Sequence, residues 1–261
     1  MKTEFEQRLI GVLGGMGPAA TIDFMARITA NTTAVVDQEH VPMLVHSVPQ
    51  IPDRSRAILM GNDGPYAPLR RGVDVLVAAG VSCIAMPCNT AHFWHERLSV
   101  GTPVPILHIA NAVLSLLGAQ GGSPGAVAIM ATRGTIHADI YGTRLRRAGA
   151  TVLLPDEATQ QSVDVAIAHV KAGQVAAARI AIQTAAANLL AAGAERLLLA
   201  CTELPVAMAG MPYQSLSIDC TDALARACVA ASRVQSRIVP QTSIPAVFAA
   251  SMSDPALCAT L

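Results

Sequence analysis

Short hydrophobic runs alternate with amphipathic stretches along this chain, and the alternation predicts strands separated by helices. An apolar run at 9–13 leads through glycines into a helical pattern at 19–31, and a run at 127–130 leads through a turn into a helical pattern at 138–148. Further apolar runs lie at 43–47, 83–86, 152–154, 196–200 and 217–219. Short apolar strands joined by helices are typical of parallel sheets covered on both faces. The pattern therefore predicts an α/β fold.

Two copies of one local pattern each end in a cysteine. Cys88 follows Gly80 by eight residues, and Cys201 follows Gly193 by the same distance. In each copy a helical stretch ends at the glycine, an apolar strand follows, and the cysteine lies at the carboxyl end of that strand. Open α/β sheets bind ligands at this end. We expect two similar domains, related by a pseudo-two-fold rotation, whose cysteines face each other.

Composition restricts the partners and the compartment. Hydrophobic residues make up 52% of the chain, charged residues 14%, and the net charge is zero, so no basic surface attracts nucleic acid or an anionic membrane. The charged start predicts no secretory signal, and the alanine-rich stretch 176–194 predicts a packed helix rather than a membrane span. Six cysteines without a Cys-x-x-Cys pair predict reduced thiols in a cytoplasmic protein.

A pair of opposed thiols has a specific chemical use. A single cysteine is more often a buried apolar residue than a nucleophile, but two in equivalent positions favour a functional interpretation. Moving the α-proton of an amino acid from one face to the other needs a base on one side and an acid on the other. One thiolate and one thiol can exchange these roles, and they titrate as a coupled pair. Cys88 and Cys201 therefore predict a racemase.

The residues that carry this pattern resemble the aspartate/glutamate racemase superfamily, and specifically its aspartate racemase branch. The resemblance covers about residues 8–232 and is carried by the glycine-rich opening at 11–21, by Cys88 and the four residues after it, and by Cys201-Thr202-Glu203. Glutamate racemases usually carry a histidine at the position of Glu203. The resemblance implies a cofactor-independent two-base racemase with two α/β domains, an active site in the cleft between them and commonly a homodimer.

The same resemblance implies the site residues. Cys88 and Cys201 match the catalytic base and acid, and Arg54 and Lys171 match two cations that face the site. A dicarboxylic substrate fits both cations, because guanidinium binds one carboxylate bidentately and ammonium supplies a second charge. The further expected substrate contacts are Met16, Gly17, Asn89, Thr90, Thr132, Thr135 and Thr202. The threonines could equally cap the helices that follow them.

The domain boundaries follow from the repeat and from the linker-like segment 101–105. We expect a first domain at 1–105 that is completed by about 213–235, a second domain at 106–212, and a tail at 236–261. In this scheme the strand at 217–219 and the helix at 221–232 return to the first domain.

Several alternatives remain open. Gly15-x-Gly17-x-x-Ala20 fits a dinucleotide-binding turn, but the second strand ends without an acidic residue for the ribose. Cys88, His92 and His95 would share one face of a helix, yet no further ligand cluster supports a metal site, so no metal is expected. The absence of a cofactor is what the family resemblance implies. Within the superfamily, the substrate could be aspartate, which we favour, glutamate or a broader range of amino acids. A hydantoin racemase, a decarboxylase or a maleate isomerase has a similar fold.

Overall fold

The computed structural model describes residues 8–121 and 123–233. These residues form two parallel sheets of four strands each. The strands are β1 (Ile10–Gly14), β2 (Met43–Ser47), β3 (Cys83–Ala85), β4 (Ile106–Leu107), β5 (Ala126–Ala131), β6 (Thr151–Leu153), β7 (Arg196–Ala200) and β8 (Ser217–Asp219). The expected tail at 236–261, with Cys258, lies outside the described residues.

The two sheets have the same topology. The strand orders are β2-β1-β3-β4 and β6-β5-β7-β8, and every neighbouring pair is parallel. The third strand of each unit therefore lies next to the first strand, in the interior of its sheet. This repetition confirms the predicted α/β class with two mainly parallel sheets. It also gives β3 and β7, the strands before the two cysteine segments, equivalent positions.

Helices connect the strands. The α-helices are α1 (Pro18–Asn31), α2 (Arg54–Leu59), α3 (Tyr66–Ala78), α4 (His95–Ser99), α5 (Ile109–Gln120), α6 (Arg133–His137), α7 (Gly142–Arg147), α8 (Glu157–Lys171), α9 (Val175–Ala191), α10 (Leu204–Met208) and α11 (Cys220–Ser232). Short 3₁₀ helices cover Asp37–Glu39, Thr90–Trp94 and Pro212–Leu216. In the described part of the chain, no helix combines the length and hydropathy that a membrane span requires.

Alternate side chains of the strands enter different apolar layers. Val12 of β1 packs in a layer that also contains Ile129 of β5 and residues of α5 and α11. Leu13 points to the opposite face and packs with Leu69 and Val73 of α3. On the second sheet, α8 and α9 cover the corresponding outer face. Because side chains alternate along a strand, each sheet contributes one face to a shared core and one to its own helices.

The expected assignment of the two short edge strands is wrong. β4 lies after the predicted boundary at residue 105, yet it pairs with β3 in the first sheet. β8 was expected to return to the first domain, but it pairs with β7 in the second sheet. The physical reason is the repeat itself, since each unit ends with a fourth strand that adds to its own sheet. The helices that follow these strands, α5 and α11, pack against each other, and α11 also packs against α1.

Local contacts set two helix starts, and one of them differs from the prediction. Asp53 caps α2 by accepting a hydrogen bond from the backbone N–H of Arg56 at 2.7 Å. The helix expected at 138–148 begins only at Gly142, because Asp139 adopts a left-handed conformation with φ of 48°. The Asp139 carboxylate then accepts a hydrogen bond from the N–H of Thr143 at 3.1 Å. Short polar side chains therefore set both helix starts.

Candidate active site

The turn after β1 has a conformation that only glycine adopts without strain. Gly15 has φ of +93°, and a Cβ there would lie 2.4 Å from the backbone nitrogen of Val48. The Thr21 hydroxyl accepts a hydrogen bond from the N–H of Gly15 at 2.8 Å and donates to the carbonyl of Gly17 at 2.9 Å. These bonds fix the turn at the carboxyl end of β1. The predicted site residue Met16 is buried within it.

A cavity of about 500 Å³ opens beside this turn. Its wall includes residues from both halves of the chain. The polar residues of the wall include Asp53 and Arg54 from the first half and Lys171, Thr202 and Glu203 from the second, and Gly17 contributes backbone. Four predicted site residues, Gly17, Arg54, Lys171 and Thr202, therefore line one cavity. It has room for a small organic acid and surrounding water.

Arg54 begins α2, and backbone carbonyl groups hold its guanidinium. Nη1 donates to the carbonyls of Ile51 and Pro52, each at 3.1 Å, and Nη2 donates to that of Met16 at 3.4 Å. Its buried Nε has no hydrogen-bond partner. Among residues 8–121 and 123–233, no carboxylate forms an ion pair with Arg54. The guanidinium is thus oriented and its charge remains available to an anion.

Lys171 supplies the second cation from the other half. It is the last residue of α8, is exposed, and lines both the large cavity and a smaller neighbouring one. Within the described ranges it forms no ion pair. Its position at a helix carboxyl terminus is also favoured by the helix dipole. The two predicted cations therefore reach the same cavity from different halves of the chain.

Cys88 follows β3 in a segment that a buried histidine fixes. The backbone N–H of Ile109 donates to Nε2 of His92 at 3.1 Å, so the ring proton is on Nδ1 and donates to the Cys88 carbonyl at 2.9 Å. Burial lowers the pKa of His92 to about 4. His95 also bonds to backbone, the carbonyl of Ile106 at 2.8 Å. These histidines therefore hold the chain around Cys88, which is 6% exposed.

Cys201 follows β7 directly and has a charged neighbour. Its Sγ donates a hydrogen bond to Oε2 of Glu203 at 3.0 Å, and the Thr202 hydroxyl donates to the same oxygen at 3.3 Å. Burial, and next the adjacent Glu203 carboxylate, raise the pKa of the Cys201 thiol well above its usual value, while Lys171 opposes this change. Glu203 belonged to the recognised sequence motif but was not assigned a role. The sequence feature that could have identified Glu203 as a site residue is its position two residues after Cys201.

Asn89 is engaged inside the protein. Its Nδ2 donates to Sγ of Cys220 at 3.1 Å, and its Oδ1 accepts a hydrogen bond from the Tyr141 hydroxyl. Asn89, Tyr141 and Cys220 are all buried. This network joins the segment after β3 to the start of α7 and to α11. Sequence reasoning missed Tyr141 because nothing in the local pattern distinguishes it from an ordinary core residue.

Three threonine hydroxyls meet at one point. Thr90 lies 2.8 Å from Thr135 and 3.0 Å from Thr132, and Thr132 lies 3.0 Å from Thr135, measured between Oγ1 atoms. Thr132 also caps α6 by accepting a hydrogen bond from the N–H of Thr135 at 3.2 Å. The cluster thus brings together three predicted site residues from both halves. Each hydroxyl hydrogen can rotate to donate either within the cluster or to a carboxylate.

Comparison with known proteins gives a consistent result. The sequence profile of the Asp/Glu/hydantoin racemase family matches residues 13–246. The chain is similar to an aspartate racemase of Picrophilus torridus, with 32% identity, a TM-score of 0.78, and coverage of 86% of this chain and 94% of that one. It is 27% identical to the broad specificity amino-acid racemase RacX of Bacillus subtilis (strain 168) over 85% of this chain and 96% of the relative.

A more distant likeness shows the fold alone. The glutamate racemase of Campylobacter jejuni subsp. jejuni is 17% identical, with a TM-score of 0.55 and coverage of 83% of this chain and 82% of that one.

The higher TM-score and sequence identity of the aspartate racemase agree with the resemblance carried by the glycine-rich opening and the cysteine segments. The chain therefore belongs to the Asp/Glu/hydantoin racemase family, on its aspartate racemase branch, and is an isomerase.

Proposed function

We propose that this isomerase is a cofactor-independent amino-acid racemase in which Cys88 and Cys201 act on opposite faces of the α-carbon. The observation that carries the proposal is the equivalence of the two positions. Cys88 follows β3 and Cys201 follows β7, the third strands of two sheets with the same order. Ligands bind at the carboxyl ends of such strands. The active site would then lie between the two α/β units, next to the cavity.

The proposed reaction needs one thiolate and one thiol. The thiolate removes the α-proton, and the thiol on the other side gives its proton to the opposite face of the carbon. The reverse reaction exchanges the roles. Negative charge develops next to the α-carboxylate as the proton leaves, and a nearby cation stabilises it. Arg54 and Lys171, which line the cavity, are the proposed source of that charge.

Aspartate is the substrate that we propose. The support is the pair of cations without an ion-pair partner in the described chain, which suits a substrate with two carboxylates. The similar protein from Picrophilus torridus is an aspartate racemase. The proposed contacts to the substrate carboxylates are the hydroxyls of Thr90, Thr132 and Thr135.

A broader substrate range is the second candidate. Its support is the apolar part of the cavity wall, which includes Val170, Val175 and Val206. The Bacillus subtilis relative is a broad specificity amino-acid racemase. Apolar wall positions would accept larger neutral side chains by burial of their surface. Glutamate, or a substrate of a maleate isomerase-like reaction, remains a further alternative.

The test is proton NMR of L-aspartate in D2O with the reduced protein and no added cofactor. We expect loss of the α-proton signal together with falling optical rotation. Glutamate and a set of neutral amino acids, measured in parallel, separate the two candidates. If the folded protein exchanges the α-proton of none of these amino acids, the result would contradict an amino-acid racemase and favour the maleate isomerase-like alternative. A thermal shift with NAD would instead support the dinucleotide-binding alternative.

We also propose that the protein is a cytoplasmic homodimer. The described cysteines 83, 88, 201, 220 and 228 are free thiols, which suits a reducing compartment. The homodimer rests on the family resemblance. Sedimentation equilibrium of the reduced protein should give twice the chain mass of 27.0 kDa, and a single-chain mass at all concentrations would exclude the dimer.

A further inference from the structure

The Glu203 carboxylate is buried beside the Cys201 thiol. Glu203 is only 5% exposed, and Oε2 lies 3.0 Å from the sulfur and 3.3 Å from the Thr202 hydroxyl oxygen. Its other oxygen faces Gly17, where a Cβ would lie 3.6 Å from Oε1. An ionised carboxylate only accepts hydrogen bonds. The sulfur is therefore the donor in this contact, and it donates only while it keeps its proton.

Two charges act on Cys201 in opposite directions. Lys171, which lines the same cavity, attracts a negative sulfur, whereas the Glu203 carboxylate at hydrogen-bond distance repels one. In the part of the chain that the structure describes, no lysine, arginine or histidine forms an ion pair with Glu203. The uncompensated carboxylate therefore disfavours a second negative charge at hydrogen-bond distance.

Cys88 has different surroundings. Its backbone N–H donates to the Met86 carbonyl at 2.8 Å, and its own carbonyl accepts from His92. Of the hydrogen bonds in the described ranges, none joins a carboxylate to the Cys88 sulfur. The neighbour that stabilises a proton at Cys201 thus has no counterpart at Cys88.

We propose that Glu203 is a positioning residue that keeps Cys201 protonated in the free enzyme, so that Cys201 is the acid and Cys88 the base of the resting pair. This inference rests on the proposed two-cysteine reaction. It assigns a role to a residue of the cavity wall and a direction to the first proton transfer.

The proton balance of one turnover follows from this assignment. The Cys88 thiolate takes the α-proton and becomes a thiol, and the electron pair of the broken C–H bond stays on the α-carbon. That pair then forms a new C–H bond on the opposite face with the proton from the Cys201 S–H bond, which leaves Cys201 as a thiolate. Repulsion from Glu203 favours return of a proton to Cys201, while Cys88 loses one to solvent.

Titration of the Cys201 thiol, followed by thiolate ultraviolet absorbance, tests the assignment without substrate. The Cys88→Ser protein is compared with the Cys88→Ser/Cys201→Ser protein, so that the difference isolates Cys201. Adding Glu203→Gln keeps the side-chain shape and an acceptor oxygen but removes the charge. We expect the titration midpoint to fall by about one pH unit or more, which raises the thiolate fraction at a fixed lower pH about tenfold.

A matched control removes a carboxylate near the other end of β7. Glu195 is exposed and precedes β7 at its amino end, opposite the site. Glu195→Gln should leave the midpoint unchanged. In the enzyme with both cysteines, Glu203→Gln should move the basic limb of the kcat/KM pH profile to lower pH. The shift must be equal for the two enantiomers, because a racemisation has an equilibrium constant of one.

An unchanged midpoint in the Glu203→Gln protein would overturn the proposal. If that variant does not fold, the infrared S–H stretching band of the wild-type protein decides, assigned through its loss in Cys201→Ser. The band should be present at neutral pH and shifted by its hydrogen bond, and its absence would equally overturn the proposal. A shifted midpoint in a protein that racemises no amino acid would contradict the proposed function but not the protonation of Cys201.

Discussion

Cys88 and Cys201 lie after equivalent strands, but their neighbours differ in charge. A neutral buried histidine, His92, bonds to the backbone carbonyl at Cys88. A buried carboxylate, that of Glu203, bonds to the sulfur at Cys201. The first contact fixes the chain without adding charge, while the second changes the energy of the thiolate. The repeated backbone thus determines where the two thiols lie, and individual side chains determine which one holds a proton.

Cys88 and Cys201 should be equally necessary for racemisation. Cys88→Ser and Cys201→Ser should each reduce turnover of both enantiomers by about 10²- to 10⁴-fold, because each removes the acid or base of one face. Chiral analysis of aspartate over time measures this. Cys83→Ala is the matched control, since this buried thiol lies in β3 with its side chain in the shared core. Near-full turnover in either serine variant would refute the two-base scheme.

Acid should destabilise the fold through the segment around Cys88. His92 titrates with a pKa of about 4 when folded, because of burial, against an ordinary value of 6.5. Between these two pH values the unfolded chain binds a proton that the folded chain does not. The contribution of His92 to the free energy of unfolding is therefore fully present above pH 6.5 and is lost as the pH decreases towards 4. The expected loss for this fully buried group is about 3 kcal/mol.

Urea unfolding at a series of pH values measures that loss. His92→Gln serves as the comparison, because its amide cannot titrate and still offers a donor and an acceptor. The difference in unfolding free energy between the two proteins should decrease as the pH is lowered from 6.5 to 4. A difference that stays constant with pH would show that His92 is not responsible.

The two cations should differ in how much each contributes to substrate binding. Arg54 is held by three carbonyl groups, while Lys171 is exposed, so Arg54→Ala should have the larger effect. We expect KM for aspartate to rise about 10- to 100-fold, which corresponds to one charged hydrogen-bonded contact. Arg56→Ala, an exposed neighbour on α2, should leave KM unchanged. An equal rise for a neutral amino acid would exclude recognition of the substrate side chain by Arg54.

The smallest expected effect concerns the link between the two units. Tyr141→Phe removes the hydroxyl that donates to Asn89 and should lower the unfolding free energy by about 1 kcal/mol. It should also reduce kcat slightly, because the segment after Cys88 loses one restraint. Denaturant unfolding and steady-state rates measure both. Tyr213→Phe, at a half-buried tyrosine, is the control, and a loss as large for it as for Tyr141 would contradict a specific link.

Local sequence patterns were reliable where one element carries the signal. The buried run at β1, the glycines after it and Pro18 at the start of α1 are contiguous, so their geometry follows from neighbours in sequence. The positions of the two cysteines after their strands were predicted in the same way, from the glycine that ends the helix before each strand. β4 has only two residues, which is too short for any alternation, and its pairing with β3 is not local.

The sequence by itself determined the fold class, the repeat, the family resemblance and the two cysteines, because each of these depends on residue types at fixed spacing. The tertiary structure decided the rest, since it depends on side chains distant in sequence that meet only after folding. It brought Thr90 to Thr132 and Thr135, and Asn89 to Tyr141. It also buried Glu203 against Cys201 without an ion-pair partner in the described chain, and burial is what gives that carboxylate its effect.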